Sequence, residues 1–319
     1  MSELFHDEVA EGTDDEPYER LHILIVGYGY LGHRIADLEQ NGHRITALTR
    51  SPEKGASIKD QGHTPIVGDV LDPATLAALP AADVMLIALA HDAGSGVPKR
   101  TLLVDGVTNL VRAMHTRVRH IVYISSTSVY GQSDGAWIDE DSATEPTTEG
   151  GRLTLEAEQN LQEICNAPAS SCRLTILRLA GIYGPGRLIG RVDQLRAGTP
   201  VAGSPDAWLN LIHVDDADAL VCKVVEGRET SQVILICDDR PVTRGEFYSA
   251  LAREIGAPTT TFDPDSAVGR RTTGLNKRCR NARLHAELFD PQALQRLYHP
   301  DSIAAIPQLI YFERAEHRI

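Results

Sequence analysis

The chain alternates short apolar runs with longer stretches whose apolar residues recur at helical spacing. Helical patterns such as 98–115 and 152–166 separate the apolar runs, which lie at 22–26, 43–48, 64–67, 83–89, 120–125 and 174–179. Strands that are apolar throughout and alternate with helices are typical of a parallel sheet covered by helices on both faces. The pattern therefore predicts an α/β protein with a doubly wound, Rossmann-type sheet.

The alternation changes after about residue 184. Loops lengthen, and a strand pattern at 233–237 precedes a helix in which Thr243 and Glu246 have capping-box spacing and Gly256 suits the end. We predict a Rossmann domain over 21–184 and a smaller, interleaved substrate-side lobe over 185–319, with about 209–240 returning to the sheet. Residues 1–20 hold eight acidic residues and one basic residue, which predicts a disordered acidic tail.

Charge and composition narrow the class of protein. The formal net charge is −13, which argues against nucleic acid or an anionic membrane as partner, because both need a positive face. No signal-peptide pattern opens the chain, and the longest apolar run, 84–90, is too short to span a bilayer. We predict a cytoplasmic protein. Five cysteines without CxxC spacing indicate buried, unreacted thiols rather than disulfides or a zinc site.

A glycine motif follows the first predicted strand. Gly27, Gly29 and Gly32 form G-x-G-x-x-G where the strand ends and a helix begins. In that setting the first glycine permits a tight turn, the second lets the backbone approach a pyrophosphate, and the third allows close helix packing. The helix start at Tyr30 and Leu31 offers backbone N–H groups to the same phosphates. The motif predicts dinucleotide binding.

The end of the second strand bears on which dinucleotide binds. An NAD site usually has an acidic residue there for the ribose hydroxyls, whereas this chain has Arg50 and Ser51. A guanidinium and a hydroxyl suit a 2′-phosphate, so we predict NADP in preference to NAD. The alternative is that Arg50 is a solvated charge at a strand end. Further cofactor contacts are expected from Asp69, near the adenine, and from Ala88, Leu89 and Ala90.

Three longer motifs resemble a known family. "YISSTSVYG" (123–131), "LRLAGIYGPGR" (177–187) and "NLIHVDDADAL" (210–220) are similar to segments of the extended short-chain dehydrogenase/reductases, the NAD(P)-dependent epimerase/dehydratase group. The resemblance implies that Ala180, Gly181 and Ile182 contact the nicotinamide. Arg187, Trp208 and Asn210 are then candidates to line a substrate pocket, with stabilisation of the C-terminal lobe as the equal alternative for Arg187 and Trp208. The resemblance also implies that the helices at 98–115 and 152–166 form a homodimer interface.

The acid–base residues of that family are replaced. Its members carry a Ser or Thr after the fifth strand and a Tyr-x-x-x-Lys at the next helix, in which the lysine lowers the pKa of the tyrosine. Aligned on these motifs, Ser126 occupies the first position, but Gly150 stands at the tyrosine position and Thr154 at the lysine position. The resemblance therefore implies an atypical member with a non-standard mechanism.

Other residues are weaker candidates for the missing chemistry. Ser126 comes first, followed by Tyr130 and by His91, which begins a glycine-rich loop after the fourth strand. Glu156 and Glu158 are expected to be exposed helix carboxylates. His213, Asp215 and Asp216 fit either a metal cluster or a helix cap, and we favour the cap and predict no metal.

Two functions fit these observations. The first is an NADP-dependent oxidoreductase or epimerase acting on a small polar or nucleotide-linked substrate. The second is a non-catalytic module that senses or is regulated by the dinucleotide. The glycine motif supports both, so the sequence leaves the choice open.

Overall fold

The computed structural model describes residues 19–264, 275–290 and 295–316. Its centre is a seven-stranded parallel sheet in the order β12-β7-β5-β4-β1-β2-β3. The strands are β1 (His22–Val26), β2 (Arg44–Thr49), β3 (Thr64–Val67), β4 (Ala82–Ile87), β5 (Val118–Ser126), β7 (Arg173–Leu179) and β12 (Val233–Ile236). The predicted Rossmann-type sheet is confirmed. Most of the predicted acidic tail, residues 1–18, lies outside the described residues.

Helices cover both faces of this sheet, and further helices pack together in the C-terminal part. In chain order the helices are α1 (Tyr30–Ile35), α2 (Pro52–Asp60), α3 (Pro73–Ala78), α4 (Val107–Met114), α5 (Glu149–Cys165), α6 (Ile189–Arg196), α7 (Val214–Val225), α8 (Arg244–Ile255), α9 (Ala282–Leu288) and α10 (Ser302–Ala315). The helix predicted over 98–115 is observed as a continuous helical stretch over 99–114, in which a π-helical segment, Thr101–Gly106, leads into α4. Lys99 and Arg100 form the start of this stretch.

The central strand shows why the apolar runs are continuous. All five residues of β1 are buried. Ile23 and Ile25 pack into one apolar cluster with α1 and α7, while Leu24 and Val26 pack into a second cluster with α4 and α5. Because successive side chains of a strand point to opposite faces, both faces must be apolar when both are covered.

The C-terminal part interleaves with this sheet. A third apolar cluster joins α6, α8 and α10, with Val192, Phe247 and Ile310 among its buried residues. Strand β12 returns to the central sheet beside β7. Short strands position the loops, namely β6 (Ala136–Ile138), β8 (Gly181–Tyr183), β9 (Val201–Ala202), β10 (Trp208–Leu209), β11 (Leu211–His213), β13 (Val242–Thr243), β14 (Phe262–Asp263) and β15 (Lys277–Cys279).

The structure also bears on the predicted state of the cysteines and on membrane-spanning helices. All five cysteines are free thiols; four are buried and Cys222 is half-buried. Cys165 and Cys172 lie close together, with 3.5 Å between their sulfur atoms. Among the described residues, no helix combines the length and the apolar character needed to cross a bilayer.

Candidate functional site

The glycine turn after β1 is shaped by backbone contacts. Gly27 has a φ of +108°, and a β-carbon there would lie 2.4 Å from the Ala88 carbonyl oxygen. A β-carbon at Gly32 would lie 2.2 Å from the Gly27 carbonyl oxygen. At Gly29, by contrast, a β-carbon would meet nothing within 4 Å. Gly27 and Gly32 thus let the backbone pack closely, while Gly29 opens the turn toward solvent.

This open turn fits a pyrophosphate group. Gly29 is the N-cap of α1 and makes no side-chain cap hydrogen bond to the helix. The first N–H groups of a helix have no partner within the helix, and the dipole favours negative charge there. The backbone at Gly29, Tyr30 and Leu31 would therefore hold the phosphates of a dinucleotide.

A cleft of about 300 Å³ begins at this turn and follows the carboxyl ends of the neighbouring strands. We call it the first cleft. It brings together most of the predicted cofactor residues that follow β1 to β4, namely Gly27, Gly29, Arg50, Asp69, Ala88, Leu89 and Ala90. Ligands of doubly wound folds bind at this edge of the sheet.

Two cations line the far end of the first cleft. Arg50 is joined there by Lys54 from the first turn of α2, which the sequence analysis missed. The sequence did contain a signal for this second cation, since Lys54 lies only four residues after Arg50. The predicted partner Ser51 is engaged elsewhere: its hydroxyl accepts a hydrogen bond from the Lys54 backbone N–H (3.1 Å) and donates to Glu53 Oε2 (2.6 Å).

A second cleft, of about 500 Å³, lies where β5 and β8 face the C-terminal lobe. We call it the second cleft. The predicted residues Ser126, Gly181, Trp208 and Asn210 line it. The Ser126 hydroxyl oxygen accepts a hydrogen bond from the Ser128 backbone N–H (3.1 Å), so its own hydrogen remains available to a ligand. A volume of this size suits a small molecule.

The start of α5 holds a lysine that the sequence analysis missed. A β-carbon at Gly150, the position predicted to correspond to the family's tyrosine, would lie 2.7 Å from Lys99 Nζ. Thr154, at the lysine position, donates its hydroxyl to the Gly150 carbonyl oxygen (2.8 Å). Among the described residues, Lys99 has no hydrogen-bond or ion-pair partner. A cation therefore lies where a tyrosine side chain would begin, and it comes from the chain before α4.

Tyr130 belongs to a buried network rather than to either cleft. It is fully buried, and its hydroxyl accepts a hydrogen bond from Arg178 Nη1 (2.8 Å). Arg178 also pairs with Glu158, which accepts from the Ser125 hydroxyl as well. Burial raises the pKa of Tyr130 to about 12. Proton transfer to a ligand is thereby disfavoured.

The expectation of an exposed Glu158 was wrong. Its side chain is completely buried and lies 2.6 Å from Arg178 Nη2. Residue 158 lies on the same face of α5 as Leu161 and Cys165, which are also buried. The arginine on β7, distant in sequence, together with the Ser125 hydroxyl makes a carboxylate acceptable there. Glu156 is partly exposed and pairs with Arg100.

Two further candidates lie at the edges of the site. His91 Nε2 donates to the Val97 carbonyl oxygen (2.8 Å), which leaves Nδ1 as the ring acceptor.

Arg187 is exposed and stacks on the Tyr30 ring, 4.5 Å from its centroid. It stands outside the residues that line the second cleft, and its substrate role stays a prediction. The Tyr30 hydroxyl donates to the Pro185 carbonyl oxygen (2.8 Å).

The remaining predicted residues border the second cleft in different ways. Asn210 donates to the Lys277 carbonyl oxygen (3.0 Å) and accepts from the Cys279 N–H (2.7 Å), so its amide fixes strand β15. Trp208 stacks with Arg278, whose guanidinium carbon lies 5.1 Å from a ring centroid of the indole. Of the nicotinamide candidates, Ala180 is buried, whereas Gly181 is exposed and Ile182 half-buried.

Two buried cations of the second cleft were also missed. Arg244 is 8% exposed and Lys277 is 5% exposed, and both line the cleft. Lys277 begins strand β15, and Arg244 follows the predicted cap Thr243. Hydrophobic periodicity does not predict that either residue is buried, because Arg244 is the first residue of α8 and Lys277 is the first residue of β15.

His213, Asp215 and His299 come together within 4.8 Å. The Asp215 backbone N–H donates to His213 Nδ1 (3.2 Å), so His213 caps α7 as predicted. The Asp215 carboxylate pairs with Arg34 at 2.9 Å. Burial and the neighbouring His299 lower the pKa of His213 to about 4.

Comparison with known proteins places this architecture in a family. The family model described as "NAD dependent epimerase/dehydratase family" matches residues 23–237. The chain belongs to the NAD-dependent epimerase/dehydratase family. It is also similar to the protein YeeZ of Escherichia coli strain K12, with 30% identity over 261 residues, 79% of this chain and 91% of YeeZ. The predicted family resemblance is confirmed.

Solved structures of other proteins share the fold. A conserved protein of unknown function from Silicibacter pomeroyi is 29% identical, with a TM-score of 0.70, covering 92% of this chain and 99% of that one. UDP-glucuronic acid 4-epimerase from Bacillus cereus, solved with UDP-glucuronic acid and NAD, is 20% identical, with a TM-score of 0.72, covering 91% and 99%. At that identity the second likeness concerns the fold alone.

Proposed function

We propose that this family member is an NADP-dependent oxidoreductase or epimerase acting on a small polar or nucleotide-linked substrate. The observation that carries the proposal is the first cleft, which starts at the open face of Gly29 and ends at two cations. The cofactor would supply hydride chemistry when bound. The second cleft, lined by Ser126, would hold the substrate.

The preference for NADP rests on Arg50 and Lys54. A 2′-phosphate carries negative charge that an NAD ribose lacks, and a guanidinium with a neighbouring ammonium complements it. The first cleft also contains Asp69 and Asp92. Asp69 is occupied locally, since its carboxylate accepts from the Leu71 N–H (2.9 Å). Asp92 accepts from the Gly94 N–H (2.9 Å).

For the acid–base step we propose Lys99 and Ser126 in place of the missing pair. Lys99 would supply positive charge at the tyrosine position, and Ser126 would orient the substrate oxygen. An ammonium can both stabilise a developing oxyanion and transfer a proton. His91, with Nδ1 as an acceptor, stays a weaker proton-transfer candidate.

Calorimetric titration with NADPH and NADH tests the cofactor assignment. We expect NADPH to bind at least tenfold more tightly than NADH, and Arg50→Ala or Lys54→Ala to remove most of that preference. Lys59→Ala is the matched control, because Lys59 lies on α2 outside the first cleft. Equal binding of NADPH and NADH would contradict NADP preference. Binding of neither would contradict the proposed function.

The role of Lys99 has its own test. Lys99→Met keeps the apolar stem and removes the charge, so it should lower turnover at least tenfold in a substrate screen while thermal stability stays unchanged. Lys99→Arg should restore binding of the nicotinamide half but not proton transfer. Unchanged turnover in Lys99→Met would exclude the residue from the chemistry.

A non-catalytic dinucleotide sensor is the second candidate. It is favoured by one observation: both positions of the family's Tyr-x-x-x-Lys pair hold residues, Gly150 and Thr154, that cannot perform its chemistry. A sensor would bind NADPH and NADP with unequal affinity and change conformation. It would show no turnover with any substrate.

We further propose that the protein is a cytoplasmic homodimer built through α4 and α5. The exposed positions of this surface are polar, namely Asp105, Asn109, Arg112, Arg152 and Gln159. The interface would therefore depend on hydrogen bonds more than on apolar burial. Light scattering of the purified protein at micromolar concentration tests this, and a monomer mass would contradict it.

A further inference from the structure

Two thiols meet where α5 ends and β7 begins. Cys165 is the last residue of α5, Cys172 immediately precedes β7, and their sulfur atoms lie 3.5 Å apart. A disulfide bond is about 2.05 Å long, so the two sulfurs would have to approach each other by about 1.5 Å to form one. The loop between them, 166–171, consists of exposed and half-buried residues. A surface segment of this kind can absorb so small a movement.

The surroundings of the pair favour Cys172 as the reactive thiolate. The Ser170 hydroxyl oxygen lies 3.3 Å from Cys172 Sγ. Hydrogen bonds from the Cys165 thiol and from this hydroxyl stabilise a thiolate at Cys172 and lower the pKa of Cys172. Cys165 stands at the C-terminal end of α5, where the helix dipole disfavours negative charge. Its hydrogen bond to Cys172 and its burial raise the pKa of Cys165. Because the thiolate is the nucleophile, Cys172 is the attacking thiol of the pair.

Both thiols lie just below the surface. Cys165 and Cys172 are each 8% exposed, whereas Cys237 and Cys279 are 2% and 3% exposed. The oxidation of a cysteine depends on its thiolate character and on its exposure. Of the four buried cysteines, the pair at the end of α5 is therefore the one that a small oxidant reaches more easily.

We propose that Cys165 and Cys172 form a reversible redox pair, which hydrogen peroxide oxidises to a disulfide. The Cys172 thiolate attacks one peroxide oxygen and the O–O bond breaks; the departing hydroxide takes up the proton that Cys172 lost and leaves as water. Cys172 is then a sulfenic acid. The Cys165 sulfur attacks the Cys172 sulfur, the S–O bond breaks, and the hydroxyl group leaves with the Cys165 proton as a second water. The two thiols lose two electrons, and the peroxide gains them.

The disulfide would tie the end of α5 to the start of β7. The buried ion pair between Glu158 and Arg178 joins the same helix and strand further along. Closing the short loop from Cys165 to Cys172 should raise the midpoint of thermal unfolding by about 3–5 °C. The proposal is independent of the proposed function, because the pair lies at the start of β7, whereas both clefts lie at the ends of the strands.

Peptide mapping of the wild-type protein tests the proposal. Trypsin releases residues 153–173 as one peptide with both cysteines, because Arg152 and Arg173 bound a stretch without Lys or Arg. When the native protein is treated with hydrogen peroxide and its thiols are then alkylated, this peptide should lack two hydrogen atoms and carry no alkyl group. Dithiothreitol before alkylation should restore two alkylated cysteines. Cys222 is the internal control: it is half-buried, but burial and the nearby Asp218 raise its pKa, so it should stay a thiol.

Serine variants test the role of each thiol. In Cys165→Ser the sulfenic acid at Cys172 has no thiol to react with, so dimedone should label Cys172 at least tenfold more than in the wild type. In Cys172→Ser, Cys165 should take up no dimedone. Neither variant should gain thermal stability on peroxide treatment. Cys222→Ser is the matched control and should keep both the disulfide and the rise in the unfolding midpoint.

Three results would overturn the proposal. The first is full alkylation of Cys165 and Cys172 after peroxide treatment of the native protein. The second is oxidation of Cys222 to the same extent as the pair. The third is dimedone labelling of Cys165 in Cys172→Ser that equals the labelling of Cys172 in Cys165→Ser. The first two use the wild-type chain, so they do not depend on the folding of any variant.

Discussion

Helices α1 and α5 both begin beside glycines at the carboxyl-terminal edge of the sheet, but the glycines are there for different reasons. At α1, a β-carbon on Gly27 or Gly32 would strike backbone atoms, at 2.4 Å and 2.2 Å. At α5, a β-carbon on Gly150 would meet only the flexible tip of Lys99. The next residue, Gly151, is again restricted, with the Ser128 carbonyl oxygen at 2.2 Å.

This difference shows which part of a family site is fixed by packing. The turn at α1 cannot change without moving two strand ends, so its shape is tied to the fold. Position 150 has no such restriction. The tyrosine of the family can be absent there while α5 keeps its place, because other contacts hold the helix. One of those contacts is the buried ion pair between Glu158 and Arg178.

The largest expected loss of stability comes from breaking the ion pair between Glu158 and Arg178. Glu158→Gln leaves the Arg178 guanidinium buried without a counter-charge and should lower the free energy of unfolding by about 3–5 kcal/mol. Urea denaturation measures it. Glu163→Gln, an exposed change on the same helix, should have an effect below about 0.5 kcal/mol. Equal midpoints for the two variants would mean that α5 is held by apolar packing alone.

The turn at α1 should be nearly as sensitive. Gly32→Ala places a methyl group against the Gly27 carbonyl oxygen and should destabilise the protein by about 3 kcal/mol, the upper range for overpacking. It should also abolish NADPH binding in the same calorimetric assay. Gly190→Ala on α6 is the matched control, since a β-carbon there meets nothing within 4 Å. A stable Gly32→Ala protein that binds NADPH would contradict the proposal that the glycines at α1 are fixed by packing whereas Gly150 at α5 is not.

Lowering the pH should reduce the free energy of unfolding through His120, which lies on β5 and away from both helix starts. Burial and nearby Arg173 lower the pKa of His120 to about 3. The unfolded chain then binds a proton as the pH falls through 6.5, while the folded chain stays neutral, so stability is lost as the pH falls. The loss should reach about 2 kcal/mol between pH 6.5 and pH 5. His120→Gln should flatten this dependence, and an unchanged slope would contradict the assignment.

The smallest effect is expected at residue 150. Gly150→Ala requires only a shift of the Lys99 ammonium, and alanine is favoured over glycine in a helix by about 1 kcal/mol. The variant should therefore be as stable as the wild type or slightly more stable, as judged by thermal unfolding. Gly151→Ala is its counterpart and should destabilise by more than about 2 kcal/mol. Equal thermal stability of the two variants would contradict the proposed difference between positions 150 and 151.

Much of the fold followed from local patterns. Strands such as His22–Val26 and Thr64–Val67 were predicted at their observed bounds, since continuous apolar runs of that length are best explained by a sheet covered on both faces. The glycine motif also placed the first cleft. The sequence did not reveal Glu158 as buried, because its partner Arg178 is 20 residues away on another element. Lys99, Arg244 and Lys277 were missed for the same reason.

The sequence by itself determined the parallel sheet and the glycine turn after β1, and it placed glycine at 150 and threonine at 154. These are properties of spacing and residue type, which local sterics and burial translate directly into structure. Only the tertiary structure decided which charges meet in each cleft. Lys99 beside Gly150, and Arg244 with Lys277 in one cleft, result from long-range packing, because residues far apart along the chain become neighbours only when the elements that carry them are assembled.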